Sequence, residues 1–353
     1  MDKELAEKNR RMQDLISKET TFKEGISLLK EMRKDLKGAI NWLWNLPDEA
    51  FYQMPYAKAK GYHNKTIAYS VWHMMRIEDI VAHTLILENE EILFRDGFHI
   101  KTCSPIITTG NELKGQEIAD FSKQLNLKAL QDYAMAVMES TDKLLDELTF
   151  ADLKRKVSDT AKKALTDSHC VSDDEEAVWL IDYWCNKNVL GLIKMPFSRH
   201  LIMHVEAAQR IKNKLAKDAR NGVDPVAYCG FSCNHCFLGQ WCGSCRTEYN
   251  ICSFATIFEN KTCPNVECCR QKGLDGCYEC DEIMDCTKGF YTPDNDGAAA
   301  AKAQALYIRK YGKKEFLKCH DILHETHDFA KTQEILGQSV ENGLEIMEKA
   351  REM

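Results

Sequence analysis

Two histidines, His200 and His204, stand four residues apart in the stretch RHLIMH, a spacing that places both side chains on one face of a helix. The zinc-protease motif H-E-x-x-H has the same spacing, and the glutamate after its first histidine acts as the general base. Here Leu201 follows His200, so peptide hydrolysis of that type lacks its base. The pair is therefore either two hydrogen-bonded core histidines or two ligands of a different metal site.

A third histidine, His73, lies on a largely apolar face in the segment IAYSVWHMMRIEDI. Helical bundles build metal sites from inward-facing side chains of different helices. Three neutral imidazoles with an open fourth position form the usual catalytic plan for zinc, and nickel or iron fits the same ligands. We therefore predict a divalent-metal site at His73, His200 and His204. His63 and His83 are weaker candidates, because one lies in a loop and the other falls on the opposite side of the helix.

Long helices must position these histidines, and apolar residues recur at helical spacing through most of the first half of the chain. The pattern predicts helices at 22–46, 66–93, 125–148 and 196–217, with shorter pieces near 151–166 and 174–188. Alternation typical of strands is scarce before residue 220. A four-helix bundle over 22–216 is the expected fold, preceded by a helical extension at 1–21. Glu78 and Asp79 are interpreted as surface charges of the second helix.

Composition and charge restrict the class of protein. The chain has 353 residues, enough for two domains, and 44% of them are hydrophobic, as in ordinary globular proteins. A net charge of −7 opposes general binding to nucleic acid, which needs a cationic surface. The polar N-terminus lacks the apolar core of a signal peptide, and no stretch approaches the roughly 20 apolar residues of a membrane span. We expect a cytoplasmic protein without membrane or nucleic-acid partners.

Cysteine is the outlier, because twelve of the sixteen cysteines fall between Cys229 and Cys286. In a reducing compartment, clustered thiols are typical of metal sites rather than of disulfides. Three C-x-x-C pairs (233/236, 242/245 and 277/280) can each chelate an ion, and two such pairs complete a tetrahedral zinc site. Structural zinc is expected, with an iron–sulfur cluster as the alternative. The predicted ligands are Cys229, Cys233, Cys236, Cys242, Cys245, Cys252, Cys263, Cys268, Cys277, Cys280 and Cys286.

A polar linker at 217–225 leads into this cysteine-rich domain, placed at 225–320, and a helical tail follows at 321–353. Five Lys or Arg and eight Asp or Glu lie between Cys229 and Tyr291, so the domain is a poor phosphate binder. Where the tail begins, His320, His324 and His327 share one helical face. An exposed polar face is the favoured interpretation. Extra ligands for the cysteine site, or an adventitious metal site, are the alternatives.

The chain resembles the DinB-like superfamily of metal-binding four-helix bundles over roughly residues 22–215. The resemblance is carried by SVWHMMRIEDI and, far downstream, by RHLIMHVEAAQRI. That family has one histidine on the second helix and an H-x-x-x-H pair on the fourth, which implies that His73, His200 and His204 are its metal triad. Characterised relatives include transferases that use low-molecular-weight thiols such as bacillithiol or mycothiol, and a mycothiol-dependent isomerase. The resemblance implies a metal-dependent transferase whose partners are a small-molecule thiol and an electrophile. Dimerisation through bundle faces is compatible with it.

The block from AYCG to YIRKYGKKEF resembles a widespread microbial family of small cysteine-rich domains of unknown function, presumed to bind zinc. This second resemblance implies metal binding without an activity. The expected architecture is mainly α: a DinB-like four-helix bundle, then a small irregular cysteine-rich metal-binding domain with C-terminal helices. A non-catalytic zinc-binding scaffold is the alternative function, and an iron–sulfur redox protein is the third.

Overall fold

The protein is mainly helical, as predicted. The computed structural model describes residues 3–247 and 252–352. In these ranges there is no β-strand, and only two isolated bridges pair Lys156 with Asn188 and Val226 with Ser232. None of the described helices is long and apolar enough to cross a membrane. The α-helices are α1 (Lys3–Ile16), α2 (Phe22–Leu43), α3 (Ile67–Asp79), α4 (Ile92–Arg95), α5 (Phe98–Lys101), α6 (Gln116–Gln124), α7 (Leu127–Glu147), α8 (Asp159–Asp167), α9 (Trp179–Cys185), α10 (Val189–Lys194), α11 (Leu201–Arg220), α12 (Pro264–Lys272), α13 (Ala298–Thr326), α14 (Phe329–Leu336) and α15 (Val340–Arg351).

The chain forms two compact units, Met1–Lys212 and Asn213–Met353. In the first unit, apolar residues at helical spacing bury one face of α2, with Leu29 and Leu36 among them. Helix α7 packs against both α2 and α3. All residues of α3 are buried, including its charged ones, so this helix is surrounded by protein on every side. Helix α3 is therefore the central element of the first unit.

Helix α3 is shorter than the helix predicted at 66–93. Thr66 caps its N-terminus, where the threonine side chain accepts a hydrogen bond from the Tyr69 backbone N–H at 3.0 Å. Beyond α3 the chain continues as a π-helical segment, Ile80–Leu87, which ends at Glu88 in the left-handed region with φ at 53°. This segment is as apolar as the helix before it, so the pattern alone does not show where the α-helix ends.

The interpretation of Glu78 and Asp79 as surface charges is wrong, because both side chains are fully buried. Glu78 forms a buried ion pair with Arg33 of α2, in which Nη2 and Oε1 are 2.7 Å apart. Asp79 accepts a hydrogen bond from the Tyr133 hydroxyl at 2.8 Å and lies 3.3 Å from the Arg76 guanidinium. Helical periodicity treats charged residues as exposed, whereas a fold can bury them when each charge has a partner.

The helix predicted at 196–217 has an irregular start. Met195–His200 forms a π-helical turn with Pro196 in its first turn, and α11 continues from Leu201. Proline has no N–H to donate to the preceding turn, so a regular α-helical ladder cannot run through this point. Turns of π-helix are rare and occur frequently at functional sites.

The second unit begins within α11, and the clustered cysteines follow in a stretch whose described residues form turns, short 3-10 helices and α12. Helices α13, α14 and α15 pack on one another around an apolar core that includes Phe316 and Met347. Gly230 has φ at +96° and approaches α13 so closely that a Cβ there would lie 3.0 Å from the Ala305 Cβ. Glycine is therefore required where the cysteine-rich segment meets α13.

Candidate metal centre

Helix α3 and a loop carbonyl hold the first candidate ligand. His73 lies in the middle of α3 and is 6% exposed. Its Nδ1 is 2.8 Å from the carbonyl oxygen of Thr109. A carbonyl can only accept a hydrogen bond, so Nδ1 carries the proton and Nε2 presents its lone pair. The imidazole also stacks on Tyr69, with ring centroids 5.5 Å apart and an interplanar angle of 9°.

His200 and His204 bring their rings to the same place. His200 is the last residue of the π-helical turn, and His204 follows one turn later in α11. His200 Nε2 lies 3.2 Å from His73 Nε2, and the three pairs of ring centroids are 5.0, 4.7 and 4.5 Å apart. One nitrogen of each ring lies within 4.8 Å of the others, a spacing that no other three His, Cys, Asp or Glu side chains reach in the described ranges.

These residues fit a divalent cation. Tetrahedral coordination with metal–nitrogen bonds of about 2.0–2.1 Å sets the nitrogens about 3.3 Å apart. The His73 and His200 Nε2 atoms, at 3.2 Å, match that separation. The triad is therefore an arrangement that a bound ion would stabilise.

Burial keeps the three imidazoles neutral. It lowers the pKa of His73 to about 4, despite the hydrogen bond to Thr109. The pKa values of His200 and His204 are well below the usual value, first because of burial and then because of the neighbouring histidines. Neutral imidazole is the form that binds a metal, so no proton has to leave these rings at neutral pH.

The loop before α3 adds a positive charge beside the triad. Lys65 Nζ lies 5.0 Å from the centroid of the Tyr69 ring, on which His73 stacks. In addition to burial, the Lys65 charge lowers the pKa values of His73 and His204, so the ammonium group lies near both rings. An anionic group bound at the triad would therefore have a cation next to it. No sequence pattern predicts Lys65, because a lysine in a loop leaves no periodic signal.

The two weaker candidates do not join the triad. His83 lies in the π-helical segment after α3, where its Nδ1 is 2.9 Å from Asn89 Oδ1 and its Nε2 is 3.8 Å from Asp79 Oδ1. His63 lies in a short 3-10 turn before α3 and is not part of the group whose nitrogens converge. The three histidines that converge in the first unit are therefore the three named from the sequence.

Comparison with known proteins adds no name to this site. No protein-family model matches the chain, and no curated protein matches it.

The clustered cysteines of the second unit fall into two sets that line different cavities, and every described cysteine is a free thiol. The larger cavity has a volume of about 330 Å³, and phenylalanines such as Phe231, Phe254 and Phe290 line much of the rest of it. Two of the three C-x-x-C pairs belong here. The first thiol set comprises Cys229, Cys233, Cys236, Cys242, Cys245, Cys252 and Cys263.

Backbone N–H groups donate hydrogen bonds to sulfurs of the first thiol set. The Ser253 N–H donates to Cys242 Sγ at 3.2 Å. Four cysteines also take a backbone hydrogen bond from the residue two positions later: Cys229 from Phe231, Cys236 from Leu238, Cys242 from Ser244 and Cys263 from Asn265. These bonds favour the thiolate and oppose the burial that raises most of the thiol pKa values. Thiolate is the form of cysteine that binds metals.

The second thiol set surrounds a small cavity of about 20 Å³ and comprises Cys268, Cys269, Cys277, Cys280 and Cys286. Lys272 Nζ lies 3.8 Å from Cys280 Sγ, and Lys288 Nζ lies 3.6 Å from Cys268 Sγ. Two ammonium groups therefore place positive charge beside this set of sulfurs. The set includes Cys269, which is not among the ligands predicted from the sequence. The third C-x-x-C pair is thus separated from the other two.

Proposed function

We propose that the first unit is a divalent-metal-dependent transferase that moves a small-molecule thiol onto an electrophile. The buried triad of His73, His200 and His204 carries the proposal, and the resemblance to DinB-like bundles suggests the reaction class. Zinc, nickel or iron would be held by one nitrogen of each ring. The triad includes no carboxylate, and Glu78 of α3 is already paired with Arg33. Hydrolysis of the metalloprotease type therefore lacks a general base, whereas thiol transfer does not need one.

A divalent cation at this site would lower the pKa of a bound thiol and so supply thiolate at neutral pH. The residues of the chain contribute position and environment. Thr109 holds the His73 ring with Nε2 towards His200. Burial of the three rings excludes bulk water, which strengthens electrostatic interactions at the site. Lys65 offers a contact for an anionic group of the thiol, and in this proposal it positions that substrate.

Conjugation assays test the transferase proposal. The full chain, loaded in turn with Zn²⁺, Ni²⁺ and Fe²⁺, is mixed with a fluorogenic alkyl halide and with glutathione, cysteine, bacillithiol or mycothiol. We expect metal-dependent conjugation with at least one thiol and the uncatalysed rate with H204A. Uncatalysed rates for every thiol and metal would contradict the proposal and would favour a non-catalytic metal-binding protein.

Lys65→Gln tests the positioning role of the lysine. Loss of one charged contact should raise KM for a carboxylate-bearing thiol about tenfold, which equals about 1.4 kcal/mol, and leave kcat nearly unchanged. The matched control is Lys60→Gln, an exposed lysine of the same loop. An uncharged thiol such as 2-mercaptoethanol should show no change in KM with either variant. An equal rise in KM for Lys60→Gln, or none for Lys65→Gln, would show that Lys65 has no such role.

For the second unit we propose structural zinc bound by the thiol sets, with an iron–sulfur cluster as the alternative. Support comes from the backbone donors to the first set and from the 3.6 Å between Cys269 Sγ and Cys277 Sγ in the second. All-cysteine ligand sets bind either group. Anaerobically purified protein should be colourless and contain zinc. A brown protein that contains iron and sulfide would show that the thiols bind an iron–sulfur cluster and not zinc.

A further inference from the structure

Three histidines of the second unit come together from distant parts of the chain. His320 and His324 lie one turn apart on α13, and His235 lies within the first C-x-x-C pair. The His235 and His324 rings are parallel with centroids 4.2 Å apart, and the His320 centroid lies 5.7 Å from His324 and 6.3 Å from His235. The interpretation of this helix face as exposed polar surface is wrong for His320, which is 1% exposed.

His320 is a buried imidazole whose bonding capacity is unused. Neither of its ring nitrogens has a hydrogen-bond partner among the residues that the structure describes. His324 Nε2 is buried in the same condition. Buried polar atoms are nearly always paired, and an unpaired one is costly unless a ligand or ion takes it up. These unpaired nitrogens therefore indicate a site for a bound group that accepts a lone pair, such as a metal ion.

The far nitrogens of the other two rings have the partners that metal-bound histidines usually have. His324 Nδ1 lies 3.2 Å from the carbonyl oxygen of His327, so Nδ1 carries the proton and Nε2 keeps its lone pair. His235 Nε2 lies 2.7 Å from Asp321 Oδ1, which leaves Nδ1 as its free nitrogen. A carboxylate or carbonyl on the far nitrogen is the usual outer shell of a metal-bound histidine. The Thr109 carbonyl orients the first histidine of the other triad in the same way.

We propose that His235, His320 and His324 form a second divalent-cation site, with Asp321 as the residue that orients His235. Imidazole ligands suit Zn²⁺ and Ni²⁺. The ligand nitrogens are spread more widely than those of the first triad, so we expect the rings to turn inward when the ion binds. A bound ion would cross-link the turn at 233–236 to α13. This inference does not depend on the transferase proposal, because none of its residues belongs to the first unit.

The charge around the group also favours a cation. Asp321 and Asp328 both act on His324 with negative charge. Burial, followed by the effect of the neighbouring His324 and His235, lowers the pKa of His320 to about 3, so the ring is neutral. Neutral imidazoles beside carboxylates attract a divalent cation and repel an anion.

Metal counting on the full chain tests the second site. Wild type, His235→Gln, His324→Gln and the control His327→Gln are reconstituted with excess Zn²⁺, desalted and weighed by native mass spectrometry. His327 is the control because it lies on the same helix end but outside the three rings, with its Nδ1 beside the Thr326 hydroxyl at 2.7 Å. We expect His235→Gln and His324→Gln to carry one zinc ion fewer than wild type, and His327→Gln to carry the same number. Equal zinc content in all four proteins would overturn the proposal, as would an equal loss in the control.

Asp321→Asn provides a test that leaves the buried residues in place, because the Asp321 side chain is 65% exposed. In competition with a chelator, its zinc affinity at this site should fall about tenfold or more, the usual effect of losing an outer-shell partner. The cobalt form identifies the ligands lost. The difference spectrum between wild type and His324→Gln should contain weak d–d bands without sulfur-to-cobalt charge transfer. A charge-transfer band in that difference, or unchanged affinity in Asp321→Asn, would contradict the assignment.

Discussion

At the scale of residues, the first triad depends on Arg33 as much as on its histidines. The Arg33 guanidinium is fully buried and donates to Glu78 of α3, to the Met138 carbonyl of α7 at 3.2 Å and to the Phe197 carbonyl at 3.3 Å. Phe197 belongs to the π-helical turn that ends at His200. A π-turn disturbs the regular bonding of its carbonyls, and here a side chain from another helix supplies a donor. Arg33 therefore links α3, which carries His73, to the turn that carries His200.

Arg33→Met should destabilise the first unit strongly. It leaves Glu78 as an unpaired buried charge, for which we expect a loss of about 3–5 kcal/mol in the free energy of unfolding. Urea unfolding followed by tryptophan fluorescence measures it. Lys37→Met is the matched control one turn later on α2, because Lys37 pairs with Glu139, which is 62% exposed, and should cost less than about 1 kcal/mol. A similar loss of unfolding free energy in the two variants would mean that the buried Arg33 interactions do not stabilise the packing of these helices.

The sequence could identify the triad but not the residues that support it. Spacing and an apolar face predict His200 and His204, and a largely apolar face on another predicted helix adds His73. Thr109 and Arg33 act through contacts between elements far apart in the chain, which no local pattern encodes. The same limit explains the error at Glu78, whose burial depends on a partner from another helix.

At the scale of elements, α13 is interrupted at Gly312. This residue has φ at 83° and ψ at 162°, outside the helical region, so the helix is kinked between its two halves. His320 and His324 lie in the half after the kink. The backbone conformation is one that residues with a Cβ rarely adopt, although a Cβ at this position would meet no atom within 4 Å. Conformation rather than space therefore selects glycine here.

Gly312→Ala should lower the free energy of unfolding of the second unit by about 1–3 kcal/mol, because alanine is strained at this φ. Gly38→Ala is the control, since Gly38 lies inside α2 with nothing within 4 Å of a Cβ and without a positive φ. That change should stabilise the first unit by about 0.4–1 kcal/mol. Differential scanning calorimetry of both variants measures the two effects. Stabilisation by Gly312→Ala would show that the kink is not required.

At the scale of the whole molecule, helical periodicity predicted the fold class and most helices, among them α2, α7 and α11. It failed where α-helix gives way to π-helix, at 80–87 and 195–200, because such turns keep the apolar character of the helix they interrupt. C-x-x-C spacing indicated metal-binding thiols. It did not show that the pair 277/280 lines one cavity while the pairs 233/236 and 242/245 line another, because that division arises from tertiary packing.

Metal removal should affect the two units differently. The first unit has a large apolar core, whereas the residues described between 229 and 286 form mainly turns and short helices, so bound metal should contribute much of the stability of that segment. After treatment with a strong chelator, limited proteolysis should begin within 229–286 and spare 22–200. Fragment masses identify the first cuts. Cleavage that begins in the first unit, or that is unchanged by the chelator, would contradict a structural metal in the second.

The most direct test of the central claim is the metal content of the anaerobically purified full chain by elemental analysis. Wild type is compared with His73→Ala, with the pair His200→Ala/His204→Ala, and with His99→Ala, a histidine of the first unit outside the triad. We predict that His73→Ala and the paired variant each contain one equivalent of divalent metal less than wild type, and that His99→Ala retains the full amount. An unchanged metal inventory in the paired variant would mean that the three histidines are not a metal site.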